Sequence, residues 1–258
     1  MPTMKNAPAK SGQVYLAGAG PGDPSLLTLR TLRLLQTADV ILPDDLVSDE
    51  ILALAPATAH IIPVGKRCGQ PRITQAGIHD LLLKHASQNK SVLRLKSGDP
   101  LIFGRAGEEM AFLRRHNIPF EIVPGITTAF AVAASLQTPL TDRSAASRLV
   151  LATAHHAAGK LEVTPGRTPA ASGPATFDPV TFQKDSTLVI YMPGRNFRTL
   201  ADTLIASGIP PETPCVAVSK ATTPQQQVHA TTLGLLTDEA PGPAPVILLI
   251  GQAIQPTP

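Results

Sequence analysis

The chain has 258 residues and a net charge of +3, and 43% of its residues are hydrophobic. This apolar fraction is enough for one large or two small folded domains, and it argues against an intrinsically disordered chain. Aromatic residues make up only 3% of the chain, with no Trp, which disfavours a nucleic-acid-binding protein that stacks bases on aromatic rings.

Residues 1–12 are polar and lack an apolar segment, so we expect a flexible tail rather than a signal peptide. Strand and helix patterns then alternate, which predicts an α/β domain with a parallel sheet over residues 13–140. The predicted strands are residues 14–17, 40–42, 61–64, 92–95 and 120–123, and the predicted helices are residues 25–38, 48–54, 74–86 and 104–116.

Turn-forming residues without apolar periodicity at residues 139–147 place a domain boundary there. The second predicted domain, residues 141–258, is richer in strands, which favours a mixed sheet. Within it, residues 157–183 are rich in Pro and Ala, and we expect a surface loop. The predicted strands are residues 149–151, 187–191, 215–219, 228–233 and 246–250, with one helix at residues 197–206.

Cysteine usage and hydropathy favour a reduced, water-exposed protein. Cys68 and Cys215 lie far apart and have no partner at metal-ligand spacing, so we expect neither a disulfide nor a metal site. The adjacent His155 and His156 lack a third ligand and are interpreted as structural. No apolar run approaches the about 20 residues of a membrane span. We therefore expect a cytoplasmic protein that binds neither membranes nor nucleic acids.

Three small polar loops follow predicted strands, at residues 18–24, 96–100 and 124–128. The carboxyl ends of parallel strands meet at one edge of a sheet, where ligands bind, so we expect these loops to lie together. Asp99 suits either a cap on the next element or a ligand amine. Thr127 and Thr128 suit either a ligand or a helix cap.

The first loop differs from a dinucleotide-binding turn. Asp23 stands where the third glycine of that motif is required, and Pro21 and Pro24 lack the N–H groups that would face a pyrophosphate. The loop therefore disfavours a nicotinamide oxidoreductase. It favours a neutral or cationic ligand that consists mostly of adenosine and a thioether.

Several motifs, in this order, make the chain similar to the tetrapyrrole methylase family from about residue 14 to 252. These motifs are Gly18-Ala19-Gly20-Pro21-Gly22-Asp23-Pro24 with Leu26-Leu27-Thr28-Leu29, Asp44 with Leu46-Val47-Ser48, Gly65-Lys66-Arg67, Arg94-Leu95-Lys96-Ser97-Gly98-Asp99-Pro100 with Phe103-Gly104-Arg105, and Val123-Pro124-Gly125-Ile126-Thr127. The second and third motifs resemble those of the members that methylate uroporphyrinogen III.

The resemblance implies two α/β domains with S-adenosyl-L-methionine in the cleft between them, commonly in a homodimer. It implies methylation of uroporphyrinogen III at C2 and C7, which gives precorrin-2 and S-adenosyl-L-homocysteine. The cofactor-binding residues that it implies are Pro21, Ser97, Gly98, Asp99, Ile102, Thr127, Thr128, Met192 and Ala221.

The resemblance also assigns roles at the tetrapyrrole. Asp44 would accept a proton and Lys66 would donate one. Without the family resemblance, we would interpret Asp44 as a helix cap and Lys66 as a solvated surface charge. Arg105 and Arg143 would bind substrate carboxylates. Glu108 would face the pyrrole N–H groups, and the alternative for Glu108 is a salt bridge on its own helix.

Several positions depart from the family pattern. Pro43 and Asp45 replace a Tyr and an Arg, which should weaken binding of a polyanion, and Ser97, Pro193 and Ala221 replace glycines. Two alternatives therefore remain open. One is a methyltransferase of this family that acts on another precorrin, and the other is a cofactor- or tetrapyrrole-binding homologue with impaired turnover.

Overall fold

The computed structural model describes residues 9–65, 73–154, 185–239 and 241–255. It contains two compact units, Met1–Thr128 and Ala129–Pro258. This division falls earlier in the chain than the boundary at residue 140 that the turn-forming residues indicated.

The first unit contains a five-stranded sheet in which every neighbouring pair of strands is parallel. In the order β3-β2-β4-β1-β5, β4 occupies the centre. The predicted parallel sheet is confirmed. Its strands are β1 (Val14–Gly18), β2 (Val40–Pro43), β3 (His60–Ile61), β4 (Val92–Lys96) and β5 (Phe120–Val123), and its helices are α1 (Leu29–Leu35), α2 (Asp49–Leu52), α3 (Gln75–Ser87) and α4 (Ala106–Arg115).

Helices cover both faces of this sheet because successive strand residues point to opposite sides. Tyr15 and Leu93 pack on the side of α1 and α2. Leu16 and Val92 pack on the side of α3 and α4, where Leu113 is fully buried. Arg94 and Lys96 share the face of Val92, so β4 presents two cations toward α4.

The first helix is shorter than the sequence predicts. A 3₁₀ turn at Pro24–Leu26 precedes it, and α1 begins after Thr28. The Thr28 hydroxyl accepts a hydrogen bond from the Thr31 N–H at 3.1 Å, which is the geometry of an N-cap. The single helix predicted for residues 25–38 is therefore replaced by a short 3₁₀ turn and a separate α-helix that Thr28 caps.

The second unit contains a mixed sheet, which confirms the prediction, and its strand order is β6-β7-β10-β8-β9. β6 and β7 are parallel, and the other pairs are antiparallel. The strands are β6 (Arg148–Thr153), β7 (Ser186–Tyr191), β8 (Pro214–Ser219), β9 (Gln227–Thr232) and β10 (Val246–Ile250), and the helices are α5 (Thr128–Ser135) and α6 (Phe197–Ala206).

α5 explains why the second unit begins before the turn-rich segment. Ala129, Val132 and Leu136 pack with Val189 and Val216 of the mixed sheet. The other face of that sheet is covered by α6. Within the described ranges, no helix combines the length and apolarity that crossing a membrane would require.

Candidate active site

The loops after β1 and β4 are hydrogen-bonded to each other. The Gly20 N–H donates to the Gly98 carbonyl at 3.2 Å, and the Gly98 N–H donates to the Gly20 carbonyl at 2.7 Å. The loop after β5 joins them through the Gly125 N–H, which donates to Asp99 Oδ2 at 3.0 Å. The prediction that the three loops meet at the carboxyl edge of the parallel sheet is therefore confirmed.

The close approach of these loops requires small residues. A Cβ on Gly18 would lie 2.5 Å from the Gly98 carbonyl oxygen, so no larger residue fits there. The left-handed backbone of the second loop falls on Gly98, with a φ of 67°, and Ser97 is not among the residues of positive φ. The replacement of a family glycine by Ser97 therefore introduces no backbone strain.

The hydrogen bonds of these loops bear on the type of ligand. The amides of Gly20, Gly98 and Gly125 all donate to acceptors within the protein. A pyrophosphate site needs such amides free and directed at the ligand. This arrangement does not suit a dinucleotide, and it agrees with the sequence argument for a ligand without phosphates.

Asp99 has the capping role that the sequence left open. Its Oδ1 accepts from the Leu101 N–H at 2.8 Å, and its Oδ2 accepts from Gly125. The carboxylate thus holds two loops in place. Most of the other candidate cofactor residues of the first unit lie on the same three loops, and these are Pro21, Ser97, Gly98, Thr127 and Thr128. Ile102 lies two residues beyond the second loop.

The remaining candidates lie in the second unit, on its own loops. Met192 follows β7 with a φ of 48° and is 48% exposed. Ala221 follows β8 and is buried. The buried Thr222 hydroxyl beside it has no hydrogen-bond partner among the described residues. Arg143 is exposed in the turn that the Asp142–Ala146 bridge closes.

Asp44 follows β2 at the carboxyl edge of the parallel sheet. Its N–H donates to the Leu95 carbonyl at 2.9 Å, so its backbone is tied to β4. Its side chain is 31% exposed, accepts a hydrogen bond from Arg94, and lies 4.0 Å from the Lys96 ammonium. Asp44 is therefore a partly exposed carboxylate whose interior side faces two buried cations, Arg94 and Lys96. The other predicted catalytic residue, Lys66, lies outside the described residues.

The sequence interpretation missed the residues beneath Asp44. Arg94 and Lys96 are each 2% exposed, and Glu109 of α4 is fully buried between them. Glu109 accepts from Arg94 Nε at 3.1 Å and from Lys96 Nζ at 3.1 Å. The signal was present in β4, where two cations alternate with leucines on a strand expected to be buried. Such charges require buried partners of opposite sign.

Burial and charge shift the two cations in opposite directions. Burial alone would lower the pKa of Arg94, but the carboxylates of Asp44 and Glu109 outweigh it and raise this pKa above its ordinary value. Burial and the neighbouring charge of Arg94 lower the pKa of Lys96, and the two carboxylates offset only part of this. The ammonium is thus the less stable of the two buried charges.

Arg105 and Glu108 form an exposed ion pair. Arg105 Nη2 lies 2.7 Å from Glu108 Oε2, and Arg105 Nε donates to Glu108 Oε1 at 2.8 Å. This pair lowers the pKa of Glu108 and raises that of Arg105. The structure therefore shows the salt-bridge alternative for Glu108, with Arg105 as its partner.

Comparison with known proteins identifies the family. The profile of the Tetrapyrrole (Corrin/Porphyrin) Methylases matches residues 13–237. The uroporphyrinogen-III C-methyltransferase of Paracoccus denitrificans is 45% identical over 94% of this chain and 82% of its own length. Siroheme synthase 2 of Halorhodospira halophila is 44% identical over 95% of this chain, and the chain spans only 48% of that protein.

A solved structure gives the same result. The uroporphyrin-III C-methyl transferase of Thermus thermophilus, complexed with S-adenyl homocysteine, is 36% identical to this chain. The match has a TM-score of 0.74 and covers 93% of this chain and 92% of the other. The chain belongs to the tetrapyrrole methylase family.

Proposed function

We propose that this protein transfers two methyl groups from S-adenosyl-L-methionine to C2 and C7 of uroporphyrinogen III, giving precorrin-2. The observation that carries this proposal is the position of Asp44. The carboxylate lies at the sheet edge where the three loops meet, reaches solvent, and is held by the buried cations Arg94 and Lys96. The similarity to the Paracoccus denitrificans methyltransferase supplies the substrate.

The residues present fit the proposed methyl donor. The amides of the three joined loops are already bonded within the protein, which suits a ligand without phosphates. When bound, this donor supplies an electrophilic methyl group on a sulfonium. The proposed contacts are Pro21, Ser97, Gly98, Asp99, Ile102, Thr127 and Thr128 in the first unit, and Met192 and Ala221 in the second.

Asp44 is the proposed proton acceptor. If a pyrrole carbon took the methyl group while the carbon–sulfur bond of the donor broke, S-adenosyl-L-homocysteine would leave with the bonding electrons. The macrocycle would then carry a positive charge, which loss of a proton removes. The Asp44 carboxylate accepts this proton, and Arg94 and Lys96 keep it in one orientation. Lys66 is the proposed donor of a proton to the macrocycle. Alignment of donor and carbon supplies the rest of the acceleration.

Arg105 and Arg143 are the proposed partners of the substrate carboxylates. Both side chains are exposed. Glu108 occupies the Nε and Nη2 edge of the Arg105 guanidinium. A substrate carboxylate that binds this edge displaces Glu108, and the Glu108 carboxylate is then free to accept hydrogen bonds from pyrrole N–H groups.

We further propose that the protein is a cytoplasmic homodimer. Family resemblance suggests the dimer, and the sparse cysteines suggest the compartment. Burial raises the pKa of the Cys215 thiol to about 12, so this thiol stays neutral and unreactive. Light scattering at micromolar concentration tests the dimer, and a monomeric mass would contradict it.

The function is tested by anaerobic incubation of the protein with uroporphyrinogen III and methyl-labelled S-adenosyl-L-methionine. We expect label in the tetrapyrrole and formation of S-adenosyl-L-homocysteine. Transfer only to a different precorrin in a parallel panel would favour the other family activity. Calorimetric binding of S-adenosyl-L-homocysteine without transfer to any acceptor would favour a binding protein with impaired turnover.

A further inference from the structure

The charged cluster beneath Asp44 consists of Asp44, Arg94, Lys96 and Glu109, and it is electrically balanced. It contains two cations and two carboxylates, and only Asp44 reaches solvent to any extent. The other three side chains are at most 2% exposed. Burying three charges in a sheet–helix interface is unfavourable unless each is paired and hydrogen-bonded.

Glu109 is the member that joins the two cations. Its Oε1 accepts from Arg94 Nε and Lys96 Nζ, each at 3.1 Å, and from Gln75 Nε2 at 3.3 Å. Its Oε2 accepts from Lys96 Nζ at 3.3 Å. One carboxylate from α4 thus fixes two side chains of β4 and is itself held by α3.

This anchoring determines where Arg94 points. The guanidinium donates to Glu109 through Nε and to the Leu42 carbonyl through Nη1 at 2.9 Å. A planar guanidinium held at two nitrogens has its third direction fixed, and here Nη2 donates to Asp44 Oδ1. Lys96 faces Asp44 Oδ2 at 4.0 Å. Each Asp44 oxygen therefore faces a cation that Glu109 holds.

We propose that Glu109 is a positioning residue that, through Arg94 and Lys96, fixes the Asp44 carboxylate for proton transfer. Glu109 itself is fully buried and does not contact the substrate. The expected effect of Glu109 on kcat rests on the proposed methyl transfer. The expected effect of Glu109 on the Asp44 conformation does not depend on that function.

A double-mutant cycle on kcat tests the role. Glu109→Gln keeps the shape of the side chain and removes the charge that holds both cations. We expect kcat to fall about tenfold or more, with the KM for uroporphyrinogen III changed less than about threefold, because misplacement of a catalytic group mainly affects the chemical step. In an Asp44→Asn background the same substitution should change kcat less than about twofold, since Glu109 acts through Asp44.

The control is Glu121→Gln, which removes a different partly buried ion pair of the same unit. Glu121 of β5 lies 3.0 Å from Arg30, and both side chains are about one-fifth exposed. We expect kcat and KM to stay at the wild-type values. An equal loss of kcat for Glu109→Gln in both backgrounds, or no loss in either, would overturn the proposal. If Glu109→Gln does not fold, Glu109→Asp takes its place, because it keeps the charge but withdraws the carboxylate from Arg94.

Crystal structures of the wild type and of the Glu109 variant supply a readout that does not depend on turnover. We expect a single Asp44 conformation, bonded to Arg94, in the wild type and a displaced or multiple conformation in the variant. An identical Asp44 conformation in both would contradict the proposal even if the wild type proved inactive. A wild type without methyl transfer would instead refute the proposed function.

Discussion

The central strands of the two sheets have opposite compositions. β4 of the parallel sheet alternates leucines with Arg94 and Lys96, whereas β10 of the mixed sheet reads Val-Ile-Leu-Leu-Ile. Both strands are almost completely buried. β10 shows that a central strand needs only apolar side chains to form a core. The cations of β4 are therefore not required to build a sheet, and their position beneath Asp44 points to a chemical use.

The largest expected effect is on methyl transfer, from Asp44→Asn. The asparagine keeps the size of the side chain and an oxygen for Arg94, but it is not a base. We expect kcat to fall by about 10²- to 10⁴-fold, the usual contribution of a general base. Rates under saturating donor measure this effect. A variant with the wild-type kcat would contradict the role of Asp44 as proton acceptor.

The next effect concerns stability together with activity. Arg94→Met leaves Asp44 and Glu109 with a single cation between them, and we expect the free energy of unfolding to fall by about 3 kcal/mol. Methyl transfer by the folded fraction should fall as well, since Asp44 loses its hydrogen bond. Urea unfolding and the transfer rate measure the two effects. A variant as stable and as active as the wild type would contradict the interpretation of β4.

Leu248→Ala provides the matched change in the mixed sheet. Leu248 is fully buried on β10, and its truncation should lower the free energy of unfolding by about 3 kcal/mol through lost burial and a cavity. The kcat of the folded protein should stay near the wild-type value. A loss of kcat as large as that of Arg94→Met would show that the two central strands do not differ in function.

The N-cap of α1 gives a smaller effect. Thr28→Ala removes the side-chain oxygen that accepts from the Thr31 N–H, and it should lower the free energy of unfolding by about 1 kcal/mol. Thr28→Ser keeps that oxygen and serves as the control. Thermal unfolding of both variants measures the difference. Equal midpoints would mean that the cap does not contribute.

The smallest effect is a pH dependence in the first unit. Burial lowers the pKa of His85, with Lys84, His60 and Lys90 adding to the shift, and neither ring nitrogen has a hydrogen-bond partner among the described residues. His85 therefore binds a proton more weakly in the folded protein than in the unfolded chain. Stability is complete above about pH 6.5 and decreases as the pH falls below it.

Urea midpoints at pH 7.5 and pH 5.5 measure this dependence. We expect His85→Leu to lose less stability than the wild type over this interval. An equal loss in both proteins would assign the dependence to other groups.

Much of the first unit follows from local sequence patterns. The alternation of strands and helices predicted the parallel sheet, and the loops at residues 18–24, 96–100 and 124–128 meet because parallel strands end at one edge. Asp44 was identified through family resemblance alone. The start of α1 at Leu29 was not predicted, because it depends on the Thr28 side chain acting as an N-cap and not as a residue inside a longer helix.

The Glu109 network was not predicted, because it is assembled from separate elements. Arg94 and Lys96 are two residues apart on one strand, but their partner comes from a helix, and Glu108 beside it pairs on the surface instead. Helical spacing places Glu109 on the buried face of α4 with Ala106 and Leu113, but only the packing of α4 on β4 determines which cations it meets. The division between the units was likewise decided by tertiary packing, because α5 covers the mixed sheet.

The proposed activity is tested most directly by the positions of the transferred methyl groups. Uroporphyrinogen III is incubated anaerobically with the protein and a ¹³C-methyl donor, and the product is analysed by NMR. We expect two new methyl signals, on C2 and C7. The absence of labelled product, or a label on other atoms of the macrocycle, would contradict it.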